Sequence, residues 1–280
     1  MGFFNYDKEG PGVDKNAPKK KGIFLFFELL GRKFSKFFQI NLLYFFTSLP
    51  MIAINFVASN FFVSYAAQLL GKDSSHPLFI PFCVLFTVTL TLLVGSGPAS
   101  AALSNFYRKV IKESGIYLWS DFWDDYKNNF SQGMVVSIIS SLLTYILIFG
   151  AMVYFAQFRA TGNSLWFLCM ILIIIVGVIF VSANFYIYQL MVTFKNSLFE
   201  LYKNSIILSL INTPWNVGII ILILLINGFL FITFSPIIEM FTALVLMLMI
   251  YLSVMRFTLE FYTSRYIGRT ILDKIEKDDK

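Results

Sequence analysis

The side chains that could do chemistry are few and scattered. His76 is the only histidine in the chain, and Asp73 is the only carboxylate near it. Zinc takes three or four nitrogen, sulfur or carboxylate ligands, so this pair does not make a metal site, and no HExxH pattern occurs. Ser96 and Ser100 have no histidine within an apolar segment to act as their base. No aspartate lies inside an apolar segment to form a carboxylate dyad, and the sequence has no Gly-Lys-Ser/Thr phosphate loop. These gaps predict a protein that is not an enzyme and that holds no metal or cofactor. Cys83 and Cys169 both sit in apolar runs, where a free thiol behaves as a small hydrophobe.

Three constellations remain. Gly97 and Pro98 stand in a run of small residues that includes Gly95, Ala99, Ser100, Ala101 and Ala102. Small residues let helix backbones approach closely, and Pro98 frees a carbonyl that a neighbour must satisfy. The run reads either as close helix packing or as a hinge lining a cavity. Arg256 and Glu260, spaced i, i+4 in the last apolar segment, read as an intramembrane ion pair, either structural or coupled to transport. Asn41, Asn55, Asn60, Asn184, Gln189, Asn212, Asn216 and Asn227 also fall within or near apolar segments. Hydrogen bonds between helices are the ordinary use of such amides; a polar sugar path is the sharper one.

The elements that must position these residues are membrane helices. The chain has 280 residues, 58% hydrophobic and 14% charged, against about 45–50% apolar and about 25% charged in soluble domains. Six apolar segments are each long enough for the roughly 20 residues that a bilayer demands. They cover about 37–60, with a kink at Pro50, and then 79–104, 134–157, 165–193, 207–234 and 238–263. Short links pair them into three hairpins. The expected fold is an all-α membrane protein with six transmembrane helices in three hairpins. A tail (1–22) and an interfacial helix (23–36) precede the membrane domain (37–263), and a second tail (264–280) follows it. No cleavable signal peptide is expected.

Further interfacial helices are expected near 119–131 and 197–205. Trp119, Phe122, Trp123, Tyr126 and Phe130 fall on one helical face, with Asp121, Asp124, Asp125 and Asn128 opposite. Phe122, Trp123, Asp124 and Asp125, together with Phe199 and Glu200, are the candidate interface. Two ring or Leu positions followed by an acid recur before each hairpin, around Glu28, Asp124 and Glu200, a pattern compatible with a threefold internal repeat.

Nineteen of the 22 Lys and Arg fall on one side of this topology, so both termini are expected in the cytoplasm. The net charge of +6 is thereby assigned to topology, and no nucleic-acid partner is expected.

The stretch from Phe3 through Gly10-Pro11-Gly12 and Lys19-Lys20-Lys21 resembles the start of the YesL-like family of bacterial integral membrane proteins. Asn41-Leu42-Leu43 through Leu49-Pro50 is similar to that family's first span. The best match is Gly97-Pro98-Ala99 with Tyr107-Arg108 and Trp119-Ser120-Asp121-Phe122. The resemblance covers roughly residues 1–135. It brings no catalytic residue, because the family's domain has no assigned biochemical function. Members are often encoded beside carbohydrate uptake transporters and sugar-sensing regulators. The resemblance thus implies a bacterial cell-membrane location and an accessory role in carbohydrate uptake or sensing. The partners would be the lipid bilayer and either an ABC transporter subunit or a sensor kinase. The alternatives are a self-sufficient transporter or channel and, lower, a membrane enzyme of lipid-linked glycan metabolism.

Overall fold

The computed structural model describes residues 22–69, 79–194, 196–233 and 251–267. Every regular element among them is a helix. In chain order these are α1 (Ile23–Arg32), α2 (Phe34–Leu69), α3 (Phe79–Val94), α4 (Pro98–Ile111) and α5 (Leu118–Asn128). They continue with α6 (Phe130–Thr161), α7 (Ser164–Thr193), α8 (Leu198–Ile211), α9 (Thr213–Thr233) and α10 (Leu252–Ile267). The chain divides into one compact unit ending at Phe34 and a second starting at Ser35. In the first, α1 exposes Phe24 and Phe27 and closes with Arg32 in its last turn. The interfacial helix expected over 23–36 therefore ends earlier, and the residues after Lys33 begin α2.

Three helices of the second unit, α2, α6 and α7, are long and apolar enough to cross a membrane; counting each bent helix pair as one span raises the number to five. The chain is an all-helical membrane protein. Residues 238–250, half of the sixth expected span, lie outside the described residues; α10 covers most of the other half. Helix α2 is continuous through Pro50 and, at 36 residues, is about 54 Å long, well beyond a hydrocarbon core of about 30 Å.

The α6–α7 hairpin follows its sequence. Gly162 closes α6 in the left-handed conformation (φ 66°), where a residue without Cβ carries no strain. Asn163 then caps α7 by accepting the Leu165 N–H at 3.0 Å. Along α6, Ile138, Leu142, Ile146 and Phe149 point outward, as do Leu168, Leu172 and Ile175 of α7. An apolar surface of this extent is what lipid covers. None of residues 164–180 is fully buried, yet every residue from 182 to 191 is. A helix buried on all sides lies in the core, so the core surrounds the C-terminal third of α7. Residues 89–104, which run through the gap between α3 and α4, are buried just as continuously.

Two spans are broken. Between α3 and α4 the axis turns by 62° at Gly95, Ser96 and Gly97, with both glycines at positive φ (90° and 67°). Between α8 and α9 it turns by 91° at Asn212. The expected fifth span therefore starts at Thr213, and the helix before it runs to Ile211, beyond the interfacial stretch expected to 205. Pro214 is the physical reason: it lacks an N–H and its ring excludes the carbonyl of Leu210. That carbonyl accepts the Thr213 hydroxyl at 2.9 Å. The Ser209 carbonyl takes Thr213 Oγ1 at 3.0 Å and Asn216 Nδ2 at 3.1 Å.

At the first break the backbone of α6 comes against the chain. A methyl group added to Gly133 would lie 2.8 Å from the Pro98 nitrogen. Gly133→Ala is expected to destabilise the protein by about 1–3 kcal/mol through overpacking. Gly218→Ala, whose added carbon meets nothing within 4 Å, is expected to cost nothing. Thermal unfolding of the two variants in detergent checks the contrast.

Candidate functional site

The α3–α4 break is lined by polar side chains from four helices, all buried. Tyr44 and Ser48 come from α2, Ser100 and Ser104 from α4, Tyr188 from α7, and Arg256 and Glu260 from α10. Ser48 Oγ lies 2.7 Å from Ser96 Oγ, and the Ser96 hydroxyl donates to the Tyr44 oxygen at 2.9 Å. The Tyr44 and Ser100 hydroxyls lie 3.2 Å apart. Ser100 Oγ accepts the Ser96 N–H at 2.8 Å and Arg256 Nη2 at 2.9 Å. The Gly97 N–H donates to the Tyr188 hydroxyl at 3.3 Å, and the Gly95 carbonyl accepts Ser137 Oγ of α6 at 3.4 Å. The backbone groups that the break exposes are thus satisfied from α4, α6 and α7, as an apolar surrounding requires.

Arg256 and Glu260 do not pair with each other; among the described residues no oxygen–nitrogen contact within 4 Å joins them. Each reaches across to α4 instead. Arg256 takes Ser100, and Glu260 Oε1 accepts the Ser104 hydroxyl. Two i, i+4 ladders meet rung to rung, because residues four apart share a face on both helices. The guanidinium also lies over the Tyr188 ring, 5.7 Å from its centroid, a cation–π contact. Arg256 Nε and Glu260 Oε2 are buried without a hydrogen-bond partner. The fit leaves no spare room: a methyl on Gly95 would overlap the Tyr188 ring and lie 2.6 Å from Arg256 Nη2. Of the two readings open for Gly97 and Pro98, close packing is the one that this geometry carries.

The ladder continues toward the end of α4. Tyr107 donates to the Ser253 carbonyl at 2.7 Å, and the Ser253 N–H donates to Asn41 Oδ1 at 2.6 Å. Phe37, Tyr107 and Phe257 pack ring against ring, with Phe37 and Phe257 edge to face at 4.8 Å. Tyr44, Ser48, Tyr188 and Ser104 were not singled out by sequence. The available signal was the spacing of Ser96, Ser100 and Ser104, which repeats that of Arg256 and Glu260.

The surface helix α5 departs from expectation in its polar face. Asp125 accepts Asn105 Nδ2 at 2.7 Å, and Asp121 meets Lys109 Nζ at 3.0 Å, so these acids bind α4 instead of facing water. Phe122 is buried. Trp119, Trp123 and Asp124 are exposed. Phe130 belongs to α6, since α5 ends at Asn128. On α8, Phe199 is 77% exposed, and Glu200 closes a capping box with Ser197. Of the six candidate interface residues, Trp123, Asp124 and Phe199 remain exposed, Asp124 accepting the Ser120 hydroxyl of its own helix at 3.4 Å, while Phe122, Asp125 and Glu200 serve the fold.

The amides divide. Asn60, Asn184, Asn212 and Asn227 donate to the carbonyl four residues back in their own helix, while Asn212 also meets the Tyr186 hydroxyl of α7 and Asn227 that of Tyr251. Asn41, Asn216 and Gln189 do link helices, to Ser253, Tyr186 and the Glu260 carbonyl. Among the described residues no group of three or more His, Cys, Asp or Glu could hold a metal ion.

Fold and site together define a multi-helix membrane protein with a broken helix stapled by a buried polar cluster. Residues 37–151 match the model of a family described as "Protein of unknown function, DUF624", a finding consistent with the resemblance to YesL-like proteins. The match carries Tyr44, Ser48, the break and Ser104, whereas Tyr188, Arg256 and Glu260 lie beyond it. No curated protein and no solved structure matches the chain.

Burial raises the Asp125 carboxyl above its ordinary value, against the Asn105 bond and the Lys109 charge. Burial also pushes Asp121 up, but the Lys109 bond, the Tyr117 N–H and the Lys109 and Lys36 charges outweigh it and hold Asp121 low. Asp121 therefore stabilises the fold above the unfolded value of about 3.9, and that contribution is lost as pH falls through its folded value. Asp125 has the opposite sign: it favours the fold below the unfolded value and loses that contribution as pH rises through its folded one. Asp121→Asn is expected to cost about 0.2–1 kcal/mol at pH 7, and Asp125→Asn to cost nothing there. Thermal unfolding against pH checks both, the Asp121 difference vanishing in acid. Asn41→Leu is expected to cost about 1–3 kcal/mol by leaving the Ser253 N–H unpaired, read in the same assay.

Proposed function

We propose that this chain is a six-span protein of the bacterial cytoplasmic membrane, built from three hairpins with both termini in the cytoplasm. It catalyses no reaction and acts by docking onto another membrane protein. What supports docking most is the outward set on the surface helices. Trp119 and Trp123 stand exposed on α5 beside the exposed Asp124, and Phe199 stands exposed at the start of α8. Rings alone would suit the headgroup layer, but an anionic inner leaflet repels an exposed aspartate. Aromatic residues beside an acid suit a protein surface better. The family resemblance supplies the kind of partner: a carbohydrate ABC importer subunit or a sensor kinase.

The experiment is crosslinking in native membranes, followed by identification of the attached proteins. A transporter or sensor subunit is expected from the native chain. The combined variant Trp119→Ala, Trp123→Ala, Phe199→Ala is expected to lose at least ten-fold of that product, since central aromatic anchors are worth about 2 kcal/mol or more each. Recovery of the chain with no transporter or sensor, or an undiminished product from the variant, overturns the reading. A reporter at either terminus that is active on the outer face overturns the topology.

A second reading, a self-sufficient transporter, is favoured by one observation: a buried arginine and glutamate at a broken helix. Flux through vesicles containing only this protein, lost in Glu260→Gln, is its expected signature.

A further inference from the structure

Helix α1 carries an uncovered apolar face between two groups of cations. Ile23, Phe24 and Phe27 are 63, 72 and 61% exposed. At about 100° per residue these three and the exposed Gly31 fall within roughly 100° of one another. Leu29, fully buried, points the opposite way. In sequence Lys19, Lys20 and Lys21 precede the helix, and Arg32 and Lys33 close it. Between Lys19 and Lys33 the one acid is Glu28, 3.8 Å from Arg32. At ten residues α1 is about 15 Å long, too short to cross a bilayer. A single residue joins it to α2, which is long and apolar enough to cross one, so the chain tethers α1 to a bilayer surface.

We propose that α1 binds the surface of an anionic phospholipid bilayer, with Ile23, Phe24 and Phe27 set below the headgroups and the flanking lysines and arginine paired with lipid phosphates. The apolar face selects a membrane over water. The cations select anionic lipid, because a basic cluster beside a membrane helix is drawn to a negative leaflet and gains little from a neutral one. A protein partner would have to match both features, whereas the bilayer is already present at the adjoining helix. The contact is separate from α5 and α8, on which docking rests.

Gly31 allows a direct test, because a Cβ there meets nothing within 4 Å. The full chain with Cys83→Ala, Cys169→Ala and Gly31→Cys carries a fluorescent dye on the exposed face. It is placed in nanodiscs of phosphatidylcholine alone or of phosphatidylcholine with phosphatidylglycerol. Acrylamide quenches a dye in water, and acyl-brominated lipid quenches one inserted in the bilayer. In anionic discs the ratio of lipid to acrylamide quenching is expected to be at least about five-fold higher than in neutral discs, the worth of roughly one cation at a charged surface. High salt is expected to abolish that difference, as is the combination Lys19→Gln, Lys20→Gln, Lys21→Gln, Lys33→Gln. Phe24→Ser with Phe27→Ser is expected to leave the dye open to acrylamide in both discs. Equal insertion in neutral and anionic discs marks an apolar anchor without headgroup selection and overturns the proposal. Acrylamide access in both discs, or protection from both quenchers by covering protein, overturns it as well. Both faces of a disc carry the same lipid and no partner is present, so failure of the cytoplasmic orientation or of docking leaves this outcome untouched.

Discussion

Backbone groups set free inside an apolar surrounding must find partners within the protein, and this need organises the molecule. Each helix break exposes N–H and carbonyl groups that lipid cannot satisfy. The two breaks meet the need differently. At Asn212 the partners are local: Thr213, Asn212 and Asn216 bond the carbonyls of Leu208, Ser209 and Leu210. That bend is a property of its own segment. At residues 95–97 the partners are distant: Tyr188 takes the Gly97 N–H, Ser137 takes the Gly95 carbonyl, and Ser100 in turn is held by Tyr44 and Arg256. That bend exists only when α2, α6, α7 and α10 are assembled around it, so it fixes tertiary structure as well as local direction.

Helix α7 answers the break from the other side. Its buried segment carries Tyr186, Tyr188 and Gln189, whose directions differ by about 100° per residue. They reach Asn216 on α9, Gly97 at the break and the Glu260 carbonyl on α10. Arg108 of α4 bonds the Val192 carbonyl at the C-terminus of α7 at 2.9 Å, where a cation suits the helix dipole. A segment with these three neighbours has no face left for lipid, which explains why its burial starts abruptly at Ser182.

Much of this was legible in the sequence. Gly97-Pro98 in its run of small residues announced the first break and its close packing, and apolar length announced membrane helices. What stayed hidden were choices that depend on which helices meet. Arg256 and Glu260 at i, i+4 read as a pair with each other, yet the same spacing serves equally to match Ser100 and Ser104 on a facing helix. The acids of α5 read as a wet face, because periodicity separates polar from apolar and cannot tell water from a polar neighbour. Asn105 and Lys109, also four apart, were that neighbour. The amides read as links between helices, but an asparagine in a helix can bond the carbonyl one turn back, and four of them do, two of these while also meeting a tyrosine hydroxyl. The recurrent ring–ring–acid pattern has one consistent reading: its second ring, Phe27, Trp123 or Phe199, is exposed in every case.

Helix α4 is where surface and core meet. Its fourteen residues span about 21 Å. Toward its C-terminal end Asn105 and Lys109 hold α5; nearer its start Ser100 and Ser104 hold Arg256 and Glu260. A helix of this length moves as a rod. Shifting α5 with its bonds intact shifts α4, and shifting α4 pulls two serines away from a buried guanidinium and a buried carboxylate. A hydrogen bond to a charged group such as Arg256 is worth about 1.5–3 kcal/mol, and Gly95 has no slack against Tyr188 or Arg256. These two rungs therefore set the resistance of the break to any force applied at the surface, although neither lies near it.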